Sequence, residues 1–406
     1  MSKKYLINYF NKKGTKYTYQ IGGKYITQEG EKDINQEGEK DINQEGGKDI
    51  NQDWYDMDVH YSMLKDYNRM NCYYQFIRKN TWLQGKICCD LGAGTGILSL
   101  FALLAGVKHI HIVENQKNMI NVIINLLRKH NIDKSRYTIH QGWSTEITLP
   151  EKVDCIIHEL IGMWGNAEQC LGYVAEFRDR NLKKGGKIIP DIIKVDLTLQ
   201  HTNNFEDPIY GSNFNYMNNE VDLSMLFNNR EFYLSNIKNL KDNIISIIDN
   251  DTEYIKNTSN CNIETITYNL NTDSLERIKS LQQNLTFYPK SNKVISLLST
   301  IRYYCQDIQG VEGDSGKFNT NWRKQILLFD DFIYINPGDK IEGIIKMTDL
   351  NNSTIEQLIE VKLKKSNQSS YFYDKKFKSL YDNLWLVDFD PVSGNNKNES
   401  LKKMIF

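Results

Sequence analysis

The sequence predicts an α/β protein in which a doubly wound parallel sheet is followed by a domain of mostly antiparallel strands. Three observations carry this prediction. Apolar runs alternate with helical periods between residues 87 and 158, and three closely spaced glycines follow the first apolar run. After Pro190 the pattern changes to short alternating runs separated by polar turns. The chain of 406 residues is long enough for more than one core.

Composition and charge exclude several classes of protein. The chain is 25% charged and 40% hydrophobic, with a formal net charge of −1. No overall field attracts nucleic acid or an anionic membrane, so neither is expected as a direct partner. No apolar run reaches the roughly 18 residues of a membrane span, and the N-terminus lacks the apolar core of a signal peptide. We expect a cytoplasmic protein, also nuclear if the cell is eukaryotic.

The cysteines and histidines show no metal-ligand spacing. Seven cysteines are scattered without a Cys-x-x-Cys pair, which predicts reduced, buried thiols. His109 and His111 lie on one face of a predicted strand, but two histidines alone do not make a ligand set. No metal site is expected.

The first predicted domain, residues 1–52, is an N-terminal extension. Residues 27–52 repeat an eight-residue unit with one isoleucine in each copy, which cannot build a core. We interpret the repeat as a solvated low-complexity linker, with a partner-binding tail as the alternative. Before it, the alternation at Tyr5–Phe10 and Tyr17–Tyr25 predicts a small hairpin.

The second predicted domain, residues 53–192, begins with a helical segment. From about residue 60 the apolar side chains follow a helical period, at Met63, Leu64, Tyr67, Met70, Tyr74 and Ile77. His60, Asp66 and Arg69 lie among them. Two interpretations stay open: an amphipathic helix with a polar face, or a lid over a cofactor in which Arg69 faces a carboxylate.

A glycine-rich turn follows the first buried strand. The strand from residue 87 ends at Asp90, and Gly92, Gly94 and Gly96 precede an apolar helix. Glycines let the backbone approach a ligand, and the helix N-terminus directs free N–H groups at it. The turn predicts a nucleotide-type cofactor at the carboxyl edge of the sheet.

The alternation of strands and helices then continues. A strand over Lys108–Val113 ends at Glu114, where an acid can accept hydrogen bonds from both hydroxyls of a ribose. A helix is predicted over Met119–His130, and strands over Tyr137–Gln141 and Val153–His158. This rhythm predicts the doubly wound parallel sheet.

Two glutamates follow the last of these strands. Glu159 and Glu168 flank a glycine-containing loop, which can fold back so that both carboxylates converge. The alternative is an unrelated pair of surface acids. The position at the sheet edge, where the reactive end of a cofactor is expected, favours convergence.

The third predicted domain, residues 193–406, is a mostly antiparallel β domain. Strands are predicted over Asp196–Gln200, Val294–Thr300, Ile301–Gln306, Gln325–Phe329, Lys340–Met347 and Ile359–Lys364. Short helical periods lie near Leu223–Leu234 and Leu275–Gln282. This pattern predicts an antiparallel barrel or sandwich.

Several of these segments resemble one enzyme family. Asp-Leu-Gly-Ala-Gly-Thr-Gly, residues 90–96, resembles motif I of the Rossmann-like class I methyltransferases that use S-adenosylmethionine. The segment His60–Arg69 resembles the lid helix of the protein arginine N-methyltransferases, and Glu159–Glu168 resembles their double-glutamate loop.

Two further segments extend the resemblance. Leu182–Pro190 resembles the strand and proline that close the family's cofactor domain, and Asn319–Ile326 resembles its Thr-His-Trp loop with the following strand. The match is good over residues 53–200 and recognisable over 315–362. The combination of segments is specific, although each piece alone is not.

The resemblance implies S-adenosylmethionine as the cofactor. The glycine turn would hold its methionine part and Glu114 its ribose, with Arg69 at its carboxylate. Met63 would pack at the methyl group, and Glu146 would hold the adenine amino group. Two more residues join these in the implied cofactor site, His60 and Asp90.

For the substrate, the resemblance implies an arginine in a protein or peptide. Glu159 and Glu168 are the implied catalytic pair, because two carboxylates balance a guanidinium brought close to a sulfonium and orient the attacking nitrogen. Other residues implied on the substrate side are Trp54, Tyr55, Asp66, Asn321 and Trp322.

The sequence departs from the family's pattern at two places. Asn321 stands where the family has the histidine of Thr-His-Trp, which pairs with the acid matching Asp66, and an asparagine cannot act as a base. Inside the glutamate loop, Trp164 and Asn166 depart from the common forms and are expected to reshape the substrate mouth.

The resemblance also implies a homodimer, with a dimerisation arm near residues 201–240. Two alternatives to protein arginine methylation stay open: methylation of free arginine, another small guanidine or a peptide natural product, and a catalytically inactive dimeric scaffold. Met63 matches the form common in enzymes that make asymmetric dimethylarginine, but one residue does not set the product.

Overall fold

A computed structural model describes residues 16–21, 24–29, 57–200, 213–216, 219–222, 244–249, 261–290, 292–316, 322, 324–336, 338–349, 357–378 and 385–389. Contacts divide the chain into two compact units, Met1–Asp49 and Ile50–Phe406. Each unit is described by itself.

The first unit contains a hairpin. Strand β1 (Lys16–Ile21) pairs antiparallel with β2 (Lys24–Glu29), with Ile21 opposite Lys24. A hairpin is therefore present over residues 16–29, with bounds that differ from the predicted Tyr5–Phe10 and Tyr17–Tyr25. Tyr5–Phe10 and the repeat beyond Glu29 lie outside the described residues.

The second unit holds the helices and the larger sheets. Its described helices are α1 (Met57–Lys65), α2 (Tyr67–Arg78), α3 (Ile97–Leu104), α4 (Lys117–Lys129), α5 (Cys170–Asn181) and α6 (Leu275–Lys279). Its first strands are β3 (Ile87–Leu91), β4 (His109–Glu114), β5 (Tyr137–Gln141), β6 (Val153–His158) and β7 (Leu182–Ile189).

The later strands of this unit follow Pro190. They are β8 (Ile192–Gln200), β9 (Asn213–Tyr216), β10 (Asn219–Asp222), β11 (Ile244–Asp249), β12 (Glu264–Asn269), β13 (Ser280–Phe287), β14 (Lys293–Tyr304), β15 (Glu312–Asp314), β16 (Lys324–Tyr334), β17 (Ile341–Asp349), β18 (Gln357–Lys365), β19 (Tyr373–Lys378) and β20 (Trp385–Phe389).

Strands β3 to β7 form one parallel sheet in the order β5-β4-β3-β6-β7. Apolar side chains on these strands are buried. Helix α3, which connects β3 to β4 in the sequence, packs against β4. The direction of winding reverses between β3 and β6, so a crevice opens at the carboxyl ends of these strands. The predicted doubly wound parallel sheet is confirmed.

The helix predicted from residue 60 is two helices, α1 and α2. The Asp66 carboxylate lies between them and accepts a hydrogen bond from Arg69 N at 2.9 Å, which begins α2. The break shifts the helical phase, and the buried face of α2 carries Arg69, Cys72, Tyr73, Phe76 and Ile77. The predicted apolar stripe is therefore wrong at Leu64, Tyr67 and Tyr74, which are exposed.

The strands after Pro190 form two larger sheets. One has the order β12-β8-β14-β16-β11-β20, with β15 beside β14, and the other has the order β13-β17-β18-β19. Neighbouring strands run antiparallel, except β11 and β20. The expectation of a mostly antiparallel domain is confirmed, although the described strands form sheets and not one closed ring. A short pair, β9 with β10, lies within the region of the implied arm.

Two boundaries in this region differ from the predictions. The strands predicted over Val294–Thr300 and Ile301–Gln306 are one strand, β14, because the ladder to β8 runs unbroken through residue 300. The helix predicted over Leu275–Gln282 ends at Lys279, because Ser280 adopts an extended conformation and begins β13. The predicted helix over Leu223–Leu234 lies outside the described residues.

Strand β8 begins at Ile192, next to the predicted boundary, but residues 50–406 make one compact unit, so that boundary stays a prediction. All seven cysteines are free, and five of them are buried, as expected. In the described part of the chain, no helix has both the length and the apolar character needed to cross a membrane.

Candidate active site

The glycine turn lies between the end of β3 and the start of α3. Gly92, Gly94 and Gly96 have φ angles of 69°, 52° and 79°, a left-handed conformation that strains other residues. Gly94 is also closely approached, since a Cβ there would lie 3.2 Å from Cε1 of His60. The turn therefore presents bare backbone beside α1, as a cofactor cradle requires.

Glu114 ends β4 next to this turn. Its Oε2 accepts a hydrogen bond from Gly94 N at 2.7 Å, and its Oε1 accepts one from Gln116 N at 2.8 Å. Burial raises the pKa of Glu114, while these hydrogen bonds lower it. The structure thus places a buried acid at the tip of β4, where the sequence predicts the ribose contact.

Asp90 lies near the end of β3, two positions before Gly92. It is fully buried, and its Oδ2 accepts hydrogen bonds from Ser99 N at 2.9 Å and Ser99 Oγ at 2.6 Å. Burial raises the pKa of Asp90 to about 7. Its Oδ1 has no hydrogen-bond partner among the described residues. The contact with Ser99 fixes the first turn of α3, and the predicted cofactor contact of Asp90 stays a prediction.

Arg69 connects α2 to the glutamate loop. Its Nη1 lies 3.3 Å from Oε1 of Glu159, and its guanidinium carbon lies 5.7 Å from the centre of the Trp322 ring. The Arg69 side chain is 7% exposed and that of Glu159 is 23% exposed, so the ion pair is largely shielded from water. Because Arg69 Nε has no partner in the described part of the chain, one donor remains for a further anion.

Residues 159–168 form a compact loop. Gly162 and Gly165 exchange backbone hydrogen bonds of 3.2 and 3.0 Å, and Ala167 N donates to Met163 O at 2.9 Å. A Cβ at Gly162 would lie 2.1 Å from the carbonyl oxygen of Ala167, so the loop requires glycine there. This turn folds the chain back between the two glutamates.

The two carboxyl groups affect each other. Burial and, to a smaller extent, the negative charge of Glu159 together raise the pKa of Glu168 to about 7. Burial also raises the pKa of Glu159, although the charge of Arg69 lowers it. The charge of one carboxylate therefore acts on the other, and their joint contact with a guanidinium stays a prediction.

Trp322 anchors the loop to the β domain. The indole Nε1 donates to the carbonyl oxygen of Ile161 at 2.6 Å, and the side chain is 5% exposed. Its ring centre lies 4.8 Å from that of Tyr303, which in turn stacks on Tyr73 at 5.6 Å. The three aromatic rings form a cluster that contacts Arg69 through Trp322.

The other predicted site residues lie in different places. His60 is buried on α1 against Gly94, and Met63 is partly exposed on the same helix. Asp66 is buried at the start of α2, whereas Glu146 is exposed after β5. Three predicted residues lie outside the described part of the chain: Trp54, Tyr55 and Asn321.

The structure places both unusual residues of the loop interior inside the protein. Trp164 and Asn166 are 1% and 0% exposed, so any effect on the substrate mouth acts through packing and hydrogen bonds. The turn between Gly162 and Gly165 points both side chains inward. Asn166 instead bonds to α5, α6 and β17.

The sequence interpretation also missed His158. This fully buried residue precedes Glu159. Its Nδ1 accepts a hydrogen bond from Leu160 N at 3.2 Å, and its Nε2 lies 3.1 Å from the carbonyl oxygen of Pro190. Burial lowers the pKa of His158 to about 4, so the ring is neutral near pH 7. A histidine that ends a mostly buried strand directly before Glu159 is the signal that could have identified it.

The donor set of the site does not suit a metal. No group of three or more His, Cys, Asp or Glu side chains within the described ranges is arranged to hold a metal ion. The glycine cradle, Arg69 and the buried acids suit an organic cofactor that carries a carboxylate and a ribose.

The chain is similar to known proteins over most of its length. No protein-family model matches it. It is 29% identical to protein arginine N-methyltransferase 1 of Dictyostelium discoideum over 304 residues, which are 70% of this chain and 80% of that protein. It is 40% identical to the protein of the same name from Oryza sativa subsp. indica over 144 residues, 34% of this chain and 36% of that one.

Solved structures agree with the fold. The Trypanosoma brucei PRMT1 enzyme–prozyme heterotetrameric complex with AdoHcy matches 80% of this chain and 99% of its own, with a TM-score of 0.64 and 21% identity. Arabidopsis thaliana protein arginine methyltransferase 10 matches 80% of this chain and 98% of its own, with a TM-score of 0.62 and 21% identity.

Proposed function

We propose that the chain is a member of the protein arginine N-methyltransferase family and that it transfers methyl groups from S-adenosylmethionine to a guanidino nitrogen of arginine residues in proteins. The observation that carries the proposal is the loop that brings Glu159 and Glu168 together, with Arg69 paired to Glu159. This loop starts at the carboxyl end of β6, next to the glycine turn.

The residues present fit the cofactor. Gly92, Gly94 and Gly96 would hold its methionine part by backbone, and Glu114 would accept hydrogen bonds from its ribose. The Nε donor of Arg69 is available for its carboxylate. When bound, S-adenosylmethionine supplies a methyl group on a positively charged sulfur.

The two glutamates would compensate the positive charges of the guanidinium and the sulfonium. A guanidinium is always charged and presents forked donors, and its approach to a sulfonium brings two cations into a site with little water. Glu159 and Glu168 balance these charges and orient the attacking nitrogen in line with the methyl group. Arg69 holds Glu159 on one side, which fixes the direction of its carboxylate.

The reaction also releases one proton, because two cations become one. Asn321 carries no basic group, so the proton leaves by another route. We assign this role to Glu168, since burial and the charge of Glu159 raise its pKa to about 7. A group with this pKa accepts a proton near neutral pH and returns it to water.

A labelled-methyl transfer assay tests the function against its alternatives. The protein is incubated with radiolabelled S-adenosylmethionine and, separately, histone, a glycine–arginine-rich peptide and free arginine. Incorporation into histone or peptide is expected. Incorporation into free arginine alone would favour the small-guanidine alternative, and no incorporation, with no cofactor binding by calorimetry, would favour the inactive scaffold.

The proposal includes a homodimer without a direct nucleic-acid partner, in the cytoplasm and, in a eukaryotic cell, the nucleus. Exposed apolar side chains on α2 and α3 support assembly: Tyr74 is 41% exposed and Leu104 is 61% exposed. Sedimentation of the full chain tests the dimer. Imaging of the tagged protein tests its location.

A further inference from the structure

The side chain of Asn166, in the glutamate loop, makes four hydrogen bonds with described residues. It is 0% exposed and lies two positions before Glu168. Its Oδ1 accepts hydrogen bonds from Leu171 N at 2.8 Å and Gly172 N at 3.2 Å. Its Nδ2 donates to the carbonyl oxygen of Ile278 at 3.2 Å and to Oδ1 of Asp349 at 3.0 Å.

These bonds form a brace over Glu168. The side chain of Asn166 reaches across residues 167–170 to the first N–H groups of α5. Within the braced segment Glu168 and Gln169 adopt the left-handed conformation, with φ angles of 61° and 57°. Residues with a side chain adopt this conformation only when their surroundings impose it. The brace therefore holds the backbone that directs the Glu168 side chain.

Asp349 fixes the orientation of the brace. Because its carboxylate accepts from Nδ2, the amide of Asn166 can present only its oxygen to Leu171 and Gly172. Asp349 lies at the end of β17 and is itself close to α5, since a Cβ at Gly172 would lie 3.3 Å from its Oδ2. The β domain is thereby connected to the catalytic loop through one buried amide.

We propose that Asn166, oriented by Asp349, is a positioning residue that holds Glu168 in the conformation needed to bind and deprotonate the substrate guanidinium. The inference rests on the proposed function. It adds to that function a polar contact between β17 and the loop, far from the cofactor motifs in sequence.

A polarity swap tests this proposal. Asn166→Asp keeps the acceptor for Leu171 and Gly172 but removes the donor and sets a carboxylate against Asp349. We expect kcat to fall about 30-fold or more, with the KM for S-adenosylmethionine unchanged. In the double variant Asn166→Asp/Asp349→Asn, an amide donor returns on the β17 side, and kcat should recover to within about fivefold of the wild type.

Asn181 supplies the matched control. It is 1% exposed at the other end of α5, where its Oδ1 accepts from Leu149 N at 2.8 Å and its Nδ2 donates to the carbonyl oxygen of Phe177 at 3.2 Å. Asn181→Asp makes the same chemical change in an equally buried place away from the glutamates. It should lower thermal stability without the loss in kcat per folded molecule.

Hydrogen exchange supplies a readout besides activity. In Asn166→Ala, the amides of Leu171 and Gly172 should lose protection while those of β3 keep theirs. If Asn166→Asp folds too poorly to assay, Asp349→Leu removes the anchor but leaves the brace, and we expect kcat to fall about fivefold.

Three outcomes would overturn the proposal: unchanged kcat in Asn166→Asp, the same kcat loss in Asn181→Asp, or no recovery in the double variant. Failure of the proposed function looks different. In that case the wild type itself transfers no methyl group to any arginine substrate, while the exchange result at Leu171 and Gly172 still reports whether the brace exists.

Discussion

Arg69 Nη1 lies 3.3 Å from Glu159 Oε1, and this pair joins α2 to the loop proposed to bind the substrate. The proposed contacts to the cofactor and to the substrate-binding Glu159 therefore involve one guanidinium. Its contact with Glu159 orients one carboxylate, and its buried Nε has no hydrogen-bond partner among the described residues. Both ends of the site depend on the same side chain.

Arg69→Lys tests this shared role. Lysine keeps the charge but has no planar fork, so it can serve one partner at a time. We expect the Kd for S-adenosylmethionine to rise about tenfold and kcat to fall about tenfold or more. Calorimetry and initial rates measure the two effects. Arg78→Lys, an exposed change at the end of the same helix, is the control and should alter neither.

Gly94→Ala tests the cradle. At a φ of 52°, a Cβ would lie 3.2 Å from the His60 ring, so the substitution adds backbone strain and pushes on α1. We expect the Kd for S-adenosylmethionine to rise at least about tenfold. Gly310→Ala is the matched control, since Gly310 has a φ of 69° and no neighbour within 4 Å of its Cβ position. Equal weakening in both variants would contradict the cradle.

The raised pKa of Glu168 predicts the pH dependence of the reaction. The carboxyl must be ionised to bind a guanidinium, and its pKa in the free protein is raised to about 7. kcat/KM for the peptide should therefore rise with pH through about 7 and level off above it. The Kd for the cofactor, measured over the same range, separates this effect from titration in the cradle. A flat profile between pH 6 and pH 8 would contradict the assignment.

The same shift predicts a change in stability. Because the pKa of Glu168 is raised in the folded state, its contribution to the free energy of unfolding is fully present below about pH 4.5. This contribution is lost as pH rises through about 7. Glu168→Gln should therefore be more stable than the wild type at pH 8, by on the order of 1–3 kcal/mol, and equal at pH 4. Thermal unfolding measures this difference. The exposed substitution Glu151→Gln should show none at either pH.

The features predicted correctly from sequence are those that depend on local spacing. The glycine turn and Glu114 follow directly from strands and helices that alternate along the chain. The compact turn between Glu159 and Glu168 follows from one short loop with glycines at its bend. In each case the contacts that matter join residues close in sequence or ends of adjacent parallel strands.

The features missed depend on contacts between distant segments. Asn166 bonds to Asp349, 183 positions away, and nothing near either residue in sequence signals the other. The break at Asp66 was hidden because apolar residues continue through it with a helical spacing. The early end of α6 was missed because its helical and strand residues are equally apolar, and pairing of β13 with β17 decides where the strand begins.

The central claim is that Glu159 and Glu168 together bind and orient a guanidinium for methyl transfer. Single-turnover transfer to a glycine–arginine-rich peptide by Glu159→Gln and by Glu168→Gln, with cofactor binding followed by calorimetry, tests it most directly. We expect both variants to bind S-adenosylmethionine with a Kd within about threefold of the wild type and to lose about 100-fold or more in transfer rate. Near-normal transfer by either variant would contradict the claim.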